Sequence, residues 1–70
     1  MKYAYVIERA GNRYRAYVPD LPGCIASGDS LEEAERALRI AIRYHVEELR
    51  SGGQSVPPPT SSVNYVGAPY

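Results

Sequence analysis

Few residues in this 70-residue chain could do chemistry. Cys24 is the sole cysteine and His45 the sole histidine. A nucleophilic cysteine needs a base or a helix N-terminus beside it to become a thiolate. The sequence places neither immediately next to Cys24, which is followed by Ile25 and reads as a small buried hydrophobe. His45 could serve as a general base or a metal ligand, but it falls within the apolar stripe of a predicted helix and reads as a packed side chain. A structural zinc site wants about four Cys or His ligands, and two are on offer. No internal disulfide can form. The acids are more suggestive. Asp20, Asp29, Glu32, Glu33 and Glu35 fall within residues 19–35, which hold no basic residue. Acids in the first turns of a helix complement its dipole, and an acidic patch also suits a basic partner. The two accounts are compatible.

The elements that must position these groups follow from the pattern. Lys2 to Glu8 alternates as a strand, with Tyr3, Tyr5 and Ile7 on one face and Ala4 and Val6 on the other. Ala10-Gly11-Asn12 is turn chemistry. Arg13 to Val18 is a second strand, with Tyr14, Ala16 and Val18 opposite Arg13, Arg15 and Tyr17. Both faces of this hairpin carry apolar or aromatic groups. One can hold a helix, and the other offers itself to another subunit. Pro19 ends the second strand because it cannot donate to a ladder. Asp20-Leu21-Pro22-Gly23 is a compact turn, and Cys24 to Ser27 a short third strand. Ser30 with Glu33 three residues later is a capping box. It opens a helix from Ser30 to Arg50 whose stripe is Leu31, Ala34, Leu38, Ala41, Ile42, His45 and Leu49. Ile40 and Tyr44, four apart on its outer side, form a candidate contact patch. Gly52 and Gly53 stop the helix. The Pro57-Pro58-Pro59 link is stiff and extended. Ser61 to Val66 is expected to return to the sheet as a last strand.

The expected fold is therefore α+β, a two-layer β-β-β-α-β sandwich. An antiparallel meander carries one amphipathic helix on one sheet face. Residues 1–66 form one domain and 67–70 a tail, with Tyr70 expected to dock on a neighbouring subunit. A chain this short has a marginal core, and self-association as a dimer or tetramer is the expected remedy. Eight basic and eight acidic residues balance to zero charge, unlike a general nucleic-acid binder. No apolar run approaches a membrane span, and the N-terminus lacks the apolar core of a signal peptide. With a lone thiol, a cytoplasmic location is expected.

One resemblance sharpens this picture. Tyr14-Arg15-Ala16-Tyr17-Val18-Pro19-Asp20-Leu21-Pro22-Gly23-Cys24, followed by Gly28-Asp29-Ser30-Leu31-Glu32-Glu33-Ala34, closely resembles the HicB antitoxin family over roughly residues 3 to 66. That family shows a Y-x-A-x-x-P-D-L-P-G-C segment, then G-[DE]-[ST]-x-E-E-A and an Ala/Leu-rich helix. The resemblance implies a partial ribonuclease-H-like fold and a protein that binds a small RNA-cleaving toxin, HicA, covering its catalytic histidine. Full-length antitoxins add a DNA-binding module. This chain shows only one short predicted strand after the Pro-rich link, so DNA binding is not expected of it. Ribonuclease H chemistry needs several acids converging on two divalent metals. The strands supply Glu8 and little else, so neither catalysis nor a cofactor is expected. The partner-binding candidates are Asp20, Leu21, Pro22, Asp29, Glu32, Glu33, Glu35, Ile40 and Tyr44. They would meet a basic HicA-like ribonuclease. The alternative is a stand-alone homo-oligomer that binds RNA, through the arginines and tyrosines of the hairpin, or another protein.

Overall fold

The computed structural model describes residues 1–69, so the expected docking of Tyr70 lies outside the described residues. Strands β1 (Val6–Ala10), β2 (Arg13–Tyr17) and β3 (Ile25–Gly28) form one antiparallel sheet in the order β1-β2-β3, and helix α1 (Leu31–Ser51) packs on one face.

Local chemistry sets each boundary. Ala10 pairs with Arg13, so the hairpin loop is only Gly11-Asn12. Gly11 has φ +66° while Asn12 keeps a negative φ, which is the pattern of a type II′ turn with glycine at its first central position. The expected three-residue turn thus shrinks, and β1 both begins four residues later and ends two residues later than the expected Lys2 to Glu8.

The corner between β2 and β3 is two consecutive β-turns that share Leu21. The Leu21 amide donates to the Val18 carbonyl at 3.1 Å, and the Cys24 amide donates to the Leu21 carbonyl at 3.0 Å. Pro19 and Pro22 each sit at the second position of a turn, where their fixed φ is suited. Gly23 takes φ +84° at the third position of the second turn. The Val18 amide donates to the Cys24 carbonyl at 3.2 Å and closes the corner. The Cys24 amide is spent on the turn, so β3 begins one residue later than predicted.

Ser30 caps α1. Its Oγ accepts from the Glu33 amide at 3.1 Å, while Glu33 Oε2 accepts from the Asp29 amide at 3.0 Å. At the other end the Gly53 amide donates to the Arg50 carbonyl at 3.1 Å and the Gln54 amide to the Leu49 carbonyl at 2.8 Å. With Gly53 at φ +72°, this is a Schellman stop.

The core comprises Ala16, Val18, Leu21, Cys24, Ala34 and Leu38, flanked by half-buried Tyr3, Tyr5, Ile7, Tyr14, Ala26, Ala41, Ile42 and Val46. The helix therefore covers the face bearing Tyr5, Ile7, Tyr14 and Ala16. The open face carries the cross-strand row Val6, Tyr17 and Ile25, then Glu8, Arg15 and Ser27. Leu31, expected in the core stripe, is 50% exposed. As the first helical residue it overhangs the sheet, beside Ile7 and Glu32. A helix of 21 residues is about 31 Å long at 1.5 Å per residue, whereas a five-residue strand spans about 17 Å. The second half of α1 must therefore overshoot the corner end of the sheet.

The predicted last strand does not form. The sheet has three strands, and residues 54–69 contain none. The returning chain is captured at the corner instead. Tyr3 donates its hydroxyl to the Pro57 carbonyl, and Thr60 and Ser61 are bound by Asp20. Held there, the chain does not run along either sheet edge.

Candidate partner-binding surface

The structure places the chemistry-capable residues apart from one another. Cys24 is buried, and burial pushes its thiol pKa up. Thiolate chemistry is disfavoured by that environment. His45 is half-buried beside Glu48, Leu49 and Gln54 near the helix C-terminus. Among the described residues, no three His, Cys, Asp or Glu side chains come together as a metal site. None of the described helices is long and apolar enough to cross a membrane.

The acidic stretch divides between the two ends of β3. Asp20 lies at the corner that precedes the strand, and Asp29 to Glu35 follow it. Asp20 is a clamp. Its Oδ2 accepts from the Thr60 and Ser61 amides, each at 2.8 Å, and its Oδ1 from the Thr60 and Ser61 hydroxyls at 3.1 and 2.8 Å. Led by the Ser61 amide, these bonds stabilise the carboxylate and hold its pKa down at about 2. A depressed carboxyl pKa supplies stability above the unfolded value near about 4, and that stability is lost as pH falls through the folded value. The Thr60 and Ser61 amide resonances are therefore expected to titrate with a midpoint near 2. An Asp20→Ala variant, which removes the acceptor oxygen that both amides share, is expected to expose both amides to fast hydrogen exchange at neutral pH, with helix content unchanged. A midpoint at the ordinary carboxyl value would show that the clamp is not formed in solution. The link to Thr60 and Ser61 left no signal in sequence, because forty residues separate the partners.

Most of the other acids also have partners within the chain. Asp29 pairs with Arg13 at 3.1 Å and Glu35 lies 4.0 Å from Arg39. Both pairs are exposed and contribute little to stability. Glu35 also accepts the Tyr5 hydroxyl, a bond that raises the Tyr5 pKa. Glu33 completes the helix cap. Glu32 has no hydrogen bond or ion pair among the described residues and is exposed.

The apolar candidates separate just as clearly. Leu21 is 0% exposed, plugging the corner end of the core, so its side chain does not reach the surface. Pro22 beside it is exposed. Ile40 and Tyr44 are 54% and 66% exposed. Ile40 shares a shallow depression of about 350 Å³ with Arg13, Ser27, Gly28 and Arg36, between the helix and the outer edge of β3. Sequence reasoning missed two features: Gly28, whose missing side chain seats the helix, and exposed Ile25 on the open face.

These features define a small α+β domain whose surface carries an acidic helix start and an apolar strip along β3. The family profile described as "HicB_like antitoxin of bacterial toxin-antitoxin system" matches residues 3–69, and the chain belongs to that family. An uncharacterized 14.9 kDa protein from the rep-hol intergenic region of Haemophilus phage HP1 is 33% identical over 99% of this chain and 52% of its own length. This chain thus spans about half of that relative. A UPF0150 protein of Helicobacter pylori is 44% identical over 66% of this chain and 64% of its own. Among solved structures, a chain of the "HicA3 and HicB3 toxin-antitoxin complex" superposes with a TM-score of 0.68 at 26% identity, covering 81% of this chain and 66% of that one.

Proposed function

We propose that this chain is the toxin-binding module of a bacterial toxin–antitoxin pair. It neutralises a small, HicA-like RNA-cleaving toxin in the cytoplasm by covering its active site, and does no catalysis of its own. The observation that carries this reading is the shared fold with a chain from the HicA3–HicB3 complex, joined to the family match over residues 3–69.

Electrostatics supports a location for the contact. A toxin that holds RNA must present cations to phosphates. Asp29, just before the cap, and Glu32, Glu33 and Glu35 in the first turns of α1 offer carboxylates around half-exposed Leu31. The bonded acids still contribute negative potential, and Glu32 is free to meet a cation directly. Asp20 and Leu21 act indirectly, by building the corner, and Pro22 stands at the far end of β3.

Two measurements test this. A HicA-like toxin should lose its RNA cleavage when the full chain is added in equal amount, and co-expression should restore growth. Glu32→Lys puts a like charge against the toxin and is expected to weaken the complex at least tenfold, mainly by slowing association. This variant leaves the helix cap and both acidic ion pairs intact. Unimpaired cleavage with excess wild-type chain would end the antitoxin reading. Normal inhibition by Glu32→Lys would move the contact elsewhere.

A further inference from the structure

The segment that follows the Asp20 clamp has the sequence of a strand and lacks a strand's partner. Ser62-Val63-Asn64-Tyr65-Val66 alternates, contains β-branched and aromatic residues, and holds no charge; such a pattern favours a half-buried strand. In this structure it runs exposed, with Val63 at 54%, Tyr65 at 92% and Val66 at 95%. Its start is fixed, because Thr60 and Ser61 are bound to Asp20 through both their amides and their hydroxyls. The clamp therefore presents the segment from a defined point at the corner.

The same chain carries a matching acceptor. β3 is an edge strand, with β2 on one side and no strand on the other. Natural edges are usually guarded by a charge, a proline or a bulge, and Ile25-Ala26-Ser27-Gly28 contains no charge and no proline. Large apolar side chains stand exposed on both sides of this edge. Ile25 lies on the open sheet face, while Ile40 adjoins Ser27 and Gly28 on the helix side and Tyr44 follows one turn along. A strand added here would alternate its side chains across the two faces. Val63 and Tyr65 would meet Ile40 and Tyr44, and Val66 would fall on the side of Ile25.

We infer that residues 62–66 of one copy add as a fourth strand to the β3 edge of a second copy, and reciprocally, closing a two-fold dimer. A single chain leaves the donor segment and the acceptor edge exposed at the same time. A second copy satisfies each of them twice, as a closed isologous dimer requires. The exchange also adds apolar burial to a chain whose own core is small. It rests on the donor segment and the β3 edge, and it adjoins the toxin contact, since Asp29 and Glu33 line the same depression as Ile40.

Sedimentation of the full chain tests the inference. The wild type should run at twice the 7.7 kDa chain mass, with amides of residues 62–66 and β3 protected from hydrogen exchange. Neighbouring amides of a strand point to opposite edges, so Asn64→Pro together with Tyr65→Pro removes a ladder donor from the added strand whichever way it faces. Ile25→Lys guards the receiving edge with a charge. Each should raise the dimer dissociation constant at least tenfold and leave the helical circular dichroism unchanged, since Ile25, Asn64 and Tyr65 are all exposed. A monomeric wild type would overturn the inference. So would a dimer that survives the double proline variant, whatever Ile25→Lys does.

Discussion

Gly28→Ala is expected to destabilise the protein by about 1–3 kcal/mol or more, the usual cost of forcing extra atoms into a packed contact. A Cβ at this position would stand 2.6 Å from the Ala34 amide nitrogen and 2.8 Å from the Glu33 carbonyl carbon. Carbon contacts are optimal at about 3.5–4.0 Å, so the start of α1 must lift off β3. No flexible side-chain tip can absorb the change, because two of the three nearest atoms belong to the helix backbone. Ala34 and Leu38 would be drawn out of the core with the helix. A domain of this size has a total stability of about 4–10 kcal/mol, so the loss is a large share of it. Thermal unfolding followed by circular dichroism measures it directly. An unchanged midpoint would mean that helix and sheet are less closely seated than described.

Leu21→Ala is expected to cost about 2–5 kcal/mol, the range for emptying a buried leucine site, and to leave a partly unfolded population at 37 °C. Leu21 and Leu38 are the largest fully buried side chains of the core. Leu21 also links the two β-turns of the corner, its amide bonding back to Val18 and its carbonyl accepting from Cys24. Both turns keep their backbone chemistry in the variant, so the loss reports the side chain alone. Denaturant unfolding with the wild-type slope and a lower midpoint is the expected signature. A loss below about 1 kcal/mol would place it among surface substitutions and contradict the burial of Leu21. Its proposed role in partner binding is thereby recast, because Leu21 acts on any partner through the shape of the corner.

Much of the architecture was legible from local chemistry. Gly11-Asn12 marks the hairpin, Pro19 with Pro22-Gly23 marks the double turn, and Ser30 with Glu33 marks the helix start. Each signal acts through dihedral preferences and hydrogen bonds within a few residues, so no distant part of the chain needs to be known. Strand ends slipped by one or two residues where a turn closed more tightly than its composition suggests, and β1 begins four residues later than its alternating pattern. The acidic candidates were legible as a run in sequence, but not as a surface. β3 lies between Asp20 and Asp29, and a run along the chain becomes two sites at opposite ends of a sheet.

What the amino-acid sequence determined by itself is the hairpin, the corner, the capped helix and hence the α+β class. Only the tertiary structure decided which sheet face the helix covers, what Asp20 does, and that residues 61–66 stay out of their own sheet. The two faces of the hairpin are both apolar enough to accept a helix, so side-chain polarity does not separate them. Close approach separates them, because Gly28 opens one face at the place where Ala34 must pack. Asp20 meets Thr60 and Ser61 across forty residues of chain, and that meeting exists only after the helix has carried the chain back to the corner. Contacts of that span are set by the geometry of the whole fold, whereas turns and caps are set by their nearest neighbours.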